Sequence, residues 1–334
     1  MQSIVLSESW LAGAVSARQT DEGLRPCRLN VDELPLYWSD RLIEHSWTGA
    51  GVRVRFSTDS SAVGLTVVPH DDVRVFDLVS EGVLLATAKL SAGEEDILFA
   101  ALPPGRKTLE IWLPQRNPVT LRSLRVAMES TAEPADDPGP RWTAYGSSIT
   151  HCGEAHSPAR TWPATAARRD GLNLTCLGFG GECHLDPIVG QLIADRPADL
   201  ITLKVGINIQ GAGSLNARTL GPGLIGMVRT IRREQSAVPI GVISPILSPP
   251  RETQPNNVGL SLENVREQLA EAVRRLVDAG DEHLTYFDGR ELFGRPEVDA
   301  GMLPDELHPN GDGYEAMGEN AARLVIPRLL PSPS

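Results

Sequence analysis

Hydrophobic and polar residues follow two different rhythms along this chain. From about residue 50 to 128 the period is two. "VRVRFSTD" sets Val52, Val54 and Phe56 against Arg53, Arg55 and Ser57, and "AVGLTVV", "VRVFDLV" and "KTLEIWL" read similarly. Gly, Pro and Asp clusters separate these runs. Short alternating strands with turn residues between them predict an antiparallel all-β sandwich or barrel. "ESTAEPADDPGP", residues 129–140, then breaks the rhythm with a nearly apolar-free, acidic and proline-rich stretch, which reads as a linker.

Beyond the linker the strands are apolar throughout and helical periods intervene. "WTAYGSS" reads as a strand end, "LNLTCLGF", "DLITLKVGIN", "PIGVISPI" and "LTYFDG" as further strands. Helices are predicted over 158–169, 186–196, 216–235, 262–280 and 313–330. Buried strands alternating with helices imply a parallel sheet covered on both faces. The predicted organisation is a β-sandwich over 1–130, a linker over 131–140 and an α/β domain over 141–334.

Composition narrows the function classes. The 334 residues are 41% hydrophobic and 22% charged, as in a globular protein. The net charge of −12, with no basic block, argues against nucleic acid or an anionic membrane as partner. "MQSIVLSESWLAGAV" lacks a basic n-region, and no apolar run approaches the ~20 residues of a membrane helix, so a cytoplasmic protein is expected. Cys27, Cys152, Cys176 and Cys183 are too few for a disulfide framework. The spacing of Cys152, His151, His156, Cys183 and His184 fits no metal-ligand pattern, and no metal or cofactor is expected.

The chemistry gathers at one sheet edge. Gly146-Ser147-Ser148 closes the first α/β strand, "GFGG" with Gly180 and Gly181 follows the second, "GIN" with Asn208 the third, and "DELHP" with Asp305 and His308 the last. Ligands bind open parallel sheets at the carboxyl ends of the strands. A serine hydroxyl needs a base, and histidine serves near neutral pH. Asp305, three residues before His308, is spaced to hold that ring's other nitrogen. The N–H groups of Ser148 and Gly181 and the Asn208 amide are candidate oxyanion donors. Trp162, His184 and Gly180 are candidates for substrate contact.

"GSSIT", "LGFGGE", "VGIN" and "DELHP" together resemble the four blocks of the SGNH (GDSL-type) hydrolase family, over about residues 141–330. The resemblance implies a flavodoxin-like three-layer sandwich with five parallel strands. It implies Ser148 as nucleophile, Gly181 and Asn208 as oxyanion donors, His308 as base and Asp305 as its orienting acid. Two positions depart from the family pattern: Ser147 stands where an aspartate is usual, and Ile209 follows Asn208. The alternating N-terminal half is similar to the jelly-roll module of two-domain carbohydrate esterases, and a like layout occurs in acyltransferases that tailor tetracycline-type polyketides. The expected activity is acyl transfer through acyl-Ser148, from a small-molecule donor such as an acyl thioester to water or a hydroxyl acceptor. The competing expectations are a carbohydrate O-deacetylase and a carbohydrate-binding protein with an inactive α/β half. The acyl group, the acceptor and the oligomeric state stay open.

Overall fold

The structure, a computed structural model, describes residues 1–330. Two compact units compose it. One holds Met1–Gly139 with Ser157–Arg160 and Ala167–Cys176; the other holds Pro140–His156, Thr161–Ala166 and the chain from Leu177 onward. Among the described residues no helix is long and apolar enough to cross a membrane.

The first unit contains two antiparallel six-stranded sheets. One is ordered Ser16–Thr20, Gly23–Cys27, Leu121–Val126, Val63–Val67, Asp96–Phe99, with Gln2–Ile4 also on Leu121–Val126. The other is ordered Ala132–Pro134, Arg53–Thr58, Lys107–Trp112, Arg74–Ser80, Val83–Leu90, with Leu11–Ala12 also on Arg53–Thr58. The predicted alternation places Val54, Phe56, Leu109 and Ile111 in the core. Side chains removed from water there supply about 1.5–3 kcal/mol each. Arg53 is buried as well, against the expectation for a polar partner position. It lies opposite Trp112, and Arg55 lies opposite Glu110. Glu110 accepts from both arginines and from Trp112 Nε1 at 2.9 Å, so the buried charge is paired. The predicted linker is partly strand: Ala132–Pro134 pairs with Arg53–Thr58 at a sheet edge, where proline's missing N–H costs no ladder bond.

The second fold element is a five-stranded sheet ordered Asn173–Gly178, Arg141–Gly146, Leu200–Lys204, Ile240–Ile243, Leu284–Phe287. The last four pair in parallel. In chain order this is 2-1-3-4-5, whose switch point falls beside the first and third strands. The central strands are buried on both faces, so Leu200–Lys204 and Ile240–Ile243 show no alternation. The Leu262–Asp278 helix starts at a Ser261–Asn264 capping box and buries Val265, Leu269 and Leu276. Prolines redraw two predicted helices. The 158–169 segment splits into a 3₁₀ turn, Pro158–Arg160, and a helix, Trp162–Asp170, with Pro163 in its first turn. The terminal one splits into Gly311–Leu324 and Ile326–Leu329, with Pro327 starting the second piece.

Candidate active site

The first strand delivers the serines. Gly146 ends it, and a Cβ there would sit 2.2 Å from Thr150 Oγ1 and 3.0 Å from Lys204 O. Only glycine lets the short Ser148–His151 helix fold back so closely. Ser147 caps that helix: its Oγ accepts from the Ile149 N–H at 3.2 Å, and it is fully buried. Ser148, one residue on, points the other way. Its Oγ lies 3.0 Å from His308 Nε2.

The loop before the Gly311–Leu324 helix delivers the histidine. His308 Nδ1 donates to Asp305 Oδ2 at 2.7 Å. Asp305 Oδ1 accepts from the N–H groups of Leu307 at 3.0 Å and His308 at 2.6 Å. Glu306 between them is left-handed, with φ 60°, which bends the loop around the carboxylate. Partial burial pushes the Asp305 carboxyl up, but its bonds from His308 and Leu307 outweigh that and hold it below its ordinary value. The chain Ser148–His308–Asp305 is therefore continuous, with the carboxylate ionised at neutral pH.

Three donors face the same space. Gly206 adopts φ 113° and turns the third strand into the Ile207–Ala212 helix, so Asn208 sits in a helix's first turn rather than at a strand end. The Asn208 Oδ1 accepts from the Cys183 N–H at 3.1 Å, which fixes the amide and leaves its NH₂ unused. The N–H groups of Ser148 and Gly181 likewise have no acceptor among the described residues. Ser148, Gly181 and Asn208 line one cavity of about 290 Å³, together with Ile207, Gly211, Ala212, Arg251 and Leu307. Unspent donors around a positioned hydroxyl suit a developing oxyanion. Asn208→Ala is expected to lower kcat roughly 10²–10³-fold with little change in KM. Steady-state kinetics would check this, and a raised KM at normal kcat would make Asn208 a binding residue instead.

The three remaining candidates lie elsewhere. Trp162 is buried, with its ring 5.7 Å from that of Trp142, and is no part of the cavity wall. Gly180 is buried and is no part of the cavity wall either. His184 supports the wall from outside it: Nε2 donates to Gly181 O at 2.8 Å, so Nδ1 accepts from Ser214 Oγ at 2.8 Å. Sequence reasoning passed over Arg251 and Leu307. Cys183, beside Asn208, is no rival nucleophile, since burial pushes its thiol up to about 12. The group nearest to a metal-ligand arrangement among the described residues is His156, Asp312 and Glu315, whose ligand atoms lie within 4.8 Å of one another. There His156 Nε2 already pairs with Asp312 Oδ1 at 2.8 Å.

A serine–histidine–aspartate chain at the switch point of a 2-1-3-4-5 sheet defines an enzyme of the SGNH class. The chain belongs to the GDSL-like lipase/acylhydrolase family, which matches residues 144–316, and residues 10–122 match the N-terminal domain of SsfX3. Among solved structures it is similar to the salicylyl-acyltransferase SsfX3 from a tetracycline biosynthetic pathway, with 30% identity over 99% of this chain and 98% of that one, at a TM-score of 0.90. It also shares its fold with a family two carbohydrate esterase from Clostridium thermocellum, solved with cellohexaose, at 14% identity over 96% and 99% of the two chains and a TM-score of 0.66. No curated protein matches it in sequence.

Proposed function

We propose that this enzyme is an O-acyltransferase that moves a small acyl group from an ester or thioester donor, through acyl-Ser148, to a hydroxyl of a small-molecule acceptor. The observation that carries the reading is the end-to-end likeness to a salicylyl-acyltransferase, at 30% identity. In the first half-reaction Ser148 Oγ attacks the donor carbonyl while His308 Nε2 takes its proton. Asp305 holds the ring in the tautomer with hydrogen on Nδ1 and stabilises the imidazolium. The tetrahedral oxyanion receives the N–H groups of Ser148 and Gly181 and the Asn208 NH₂. On collapse His308 Nε2–H protonates the departing thiolate or alkoxide. In the second half the acceptor hydroxyl gives its proton to His308 and attacks the acyl-serine carbonyl. Ser148 Oγ then leaves and recovers that proton.

The same groups serve water as acceptor. The carbohydrate esterases share only the fold, so they lend no support to a sugar substrate. The test follows both fates of one acyl group. Incubation with an acyl thioester should add the acyl mass at Ser148. With a hydroxyl acceptor present, acylated acceptor should form in preference to free acid. Release of free acid alone, at every acceptor tried, would make the enzyme an esterase.

A further inference from the structure

We propose that Arg251 makes this site selective for acyl groups that carry an anionic oxygen, a carboxylate in the simplest case. The inference rests on the acyl-Ser148 reading above and adds a substrate class to it.

Arg251 lines the cavity that Ser148, Gly181 and Asn208 share. It stands on a 3₁₀ turn, Pro249–Arg251, that follows the fourth strand of the parallel sheet. Its Nη1 donates to Ser248 Oγ at 2.9 Å and to Glu306 O at 3.3 Å. Its Nε and Nη2 have no acceptor among the described residues, and no carboxylate pairs with the guanidinium. Those two nitrogens form one edge of a planar fork, the geometry that grips a carboxylate with two parallel bonds.

The neighbouring carboxylates are already engaged. Glu252 receives Arg266 Nη1 at 2.6 Å, Arg266 Nη2 at 2.9 Å and the Ser248 N–H at 3.0 Å. Asp305 is engaged by His308 and Leu307. Glu306 offers Arg251 only its carbonyl oxygen. Thus a fixed positive charge faces the reaction cavity without a carboxylate partner among the described residues. The turn that presents it is held firmly: Arg266 also donates to Pro245 O at 3.1 Å and Ile246 O at 3.0 Å, and Ser248 Oγ donates to Glu306 O at 2.7 Å.

Cavity size decides which part of the substrate carries the anion. At about 290 Å³ the space sits at the small end of ligand pockets. An acyl group attached at Ser148 shares this space with Arg251. A phosphate at the far end of a long thioester carrier would lie outside it.

The closing experiment uses 4-nitrophenyl esters of 3- and 4-carboxybenzoic acid beside their isosteric carboxamides. In a parallel arm the carboxylate sits on the nitrophenolate instead, with acetate as acyl group. Nitrophenolate bursts give kcat/KM for acylation, and intact mass locates the adduct. The wild-type enzyme should favour the carboxylate acyl groups about tenfold, in keeping with a partly solvent-exposed charge-assisted pair. Arg251→Gln should bring that ratio near one, and Arg251→Lys should restore part of it. Because Arg251 also holds Glu306 O, the glutamine variant slowing both esters alike with the ratio unchanged would reduce Arg251 to a loop support and overturn the proposal. A wild-type ratio near one would do the same, as would selectivity confined to the leaving-group arm. No adduct at Ser148 with any of the esters would remove the acyl-transfer reading, and this inference with it.

Discussion

Ser148→Ala should lower kcat by at least about 10⁴-fold, while Ser147→Ala should keep most of it and lose about 1 kcal/mol of stability. The two serines are adjacent in sequence and opposite in role. The Ser147 hydroxyl is spent on the Ile149 N–H inside the protein, whereas the Ser148 hydroxyl meets His308 Nε2 at 3.0 Å on the cavity wall. Removing the Ser148 oxygen removes the atom that would carry the acyl group. The donors around it would still bind and polarise a carbonyl, so a small residual rate over water is expected. The Ser147 variant loses only a helix cap. Matched turnover assays and thermal melts on the two variants decide the matter. A dead Ser147→Ala beside an active Ser148→Ala would place the chemistry on the wrong serine.

Much of this site was legible because its residues fall at strand ends in chain order. Period-two runs before residue 128 and apolar runs after 140 separate a sandwich from a parallel sheet, and four short motifs mark one edge of that sheet. What stayed hidden depends on contacts distant in sequence. Trp162, between Pro158 and Pro163 in the segment after the candidate nucleophile, reads as a candidate for substrate contact. Its burial against Trp142, with the two rings tilted 59° to each other, comes from tertiary packing that no local pattern encodes. His184 reads as a pocket residue by proximity, but its two ring nitrogens are taken by Gly181 O and Ser214 Oγ. Asn208 was expected at a strand end, and the positive φ of Gly206 starts a helix one residue before it. Arg251 belongs to no motif. Its place after the fourth strand, on the carboxyl edge where the other motifs fall, is the signal that the sequence offers.

Held carboxylates recur around the reaction cavity with different consequences. Glu252 is buried deep enough in its pairing with Arg266 that its work is to fix a turn. Asp305 is half-exposed and bonded to the very ring that meets the nucleophile. The first kind of carboxylate shapes the wall, and the second sets the proton inventory of the reaction.

Asp305→Asn is therefore expected to cost up to about 10⁴-fold in kcat, with little loss of folding. The carboxylate accepts from His308 Nδ1–H, which leaves Nε2 free of hydrogen and facing Ser148 Oγ. An asparagine can present its NH₂ to Nδ1 and so favour hydrogen on Nε2. That tautomer cannot take the serine proton. Asparagine Oδ1 can still accept from the Leu307 and His308 N–H groups, so the left-handed turn at Glu306 should survive. The pH dependence separates this role from a merely structural one. The native-state carboxyl is held below its ordinary value, so its bonds contribute stability above the ordinary carboxylate range. That contribution fades as the pH falls through the lowered native value. In the wild type, protonation of Asp305 should thus impair turnover only below the range of an ordinary aspartate. The asparagine variant should be slow across the whole neutral range instead. A loss under about tenfold, with the wild-type profile kept, would show that another group orients His308.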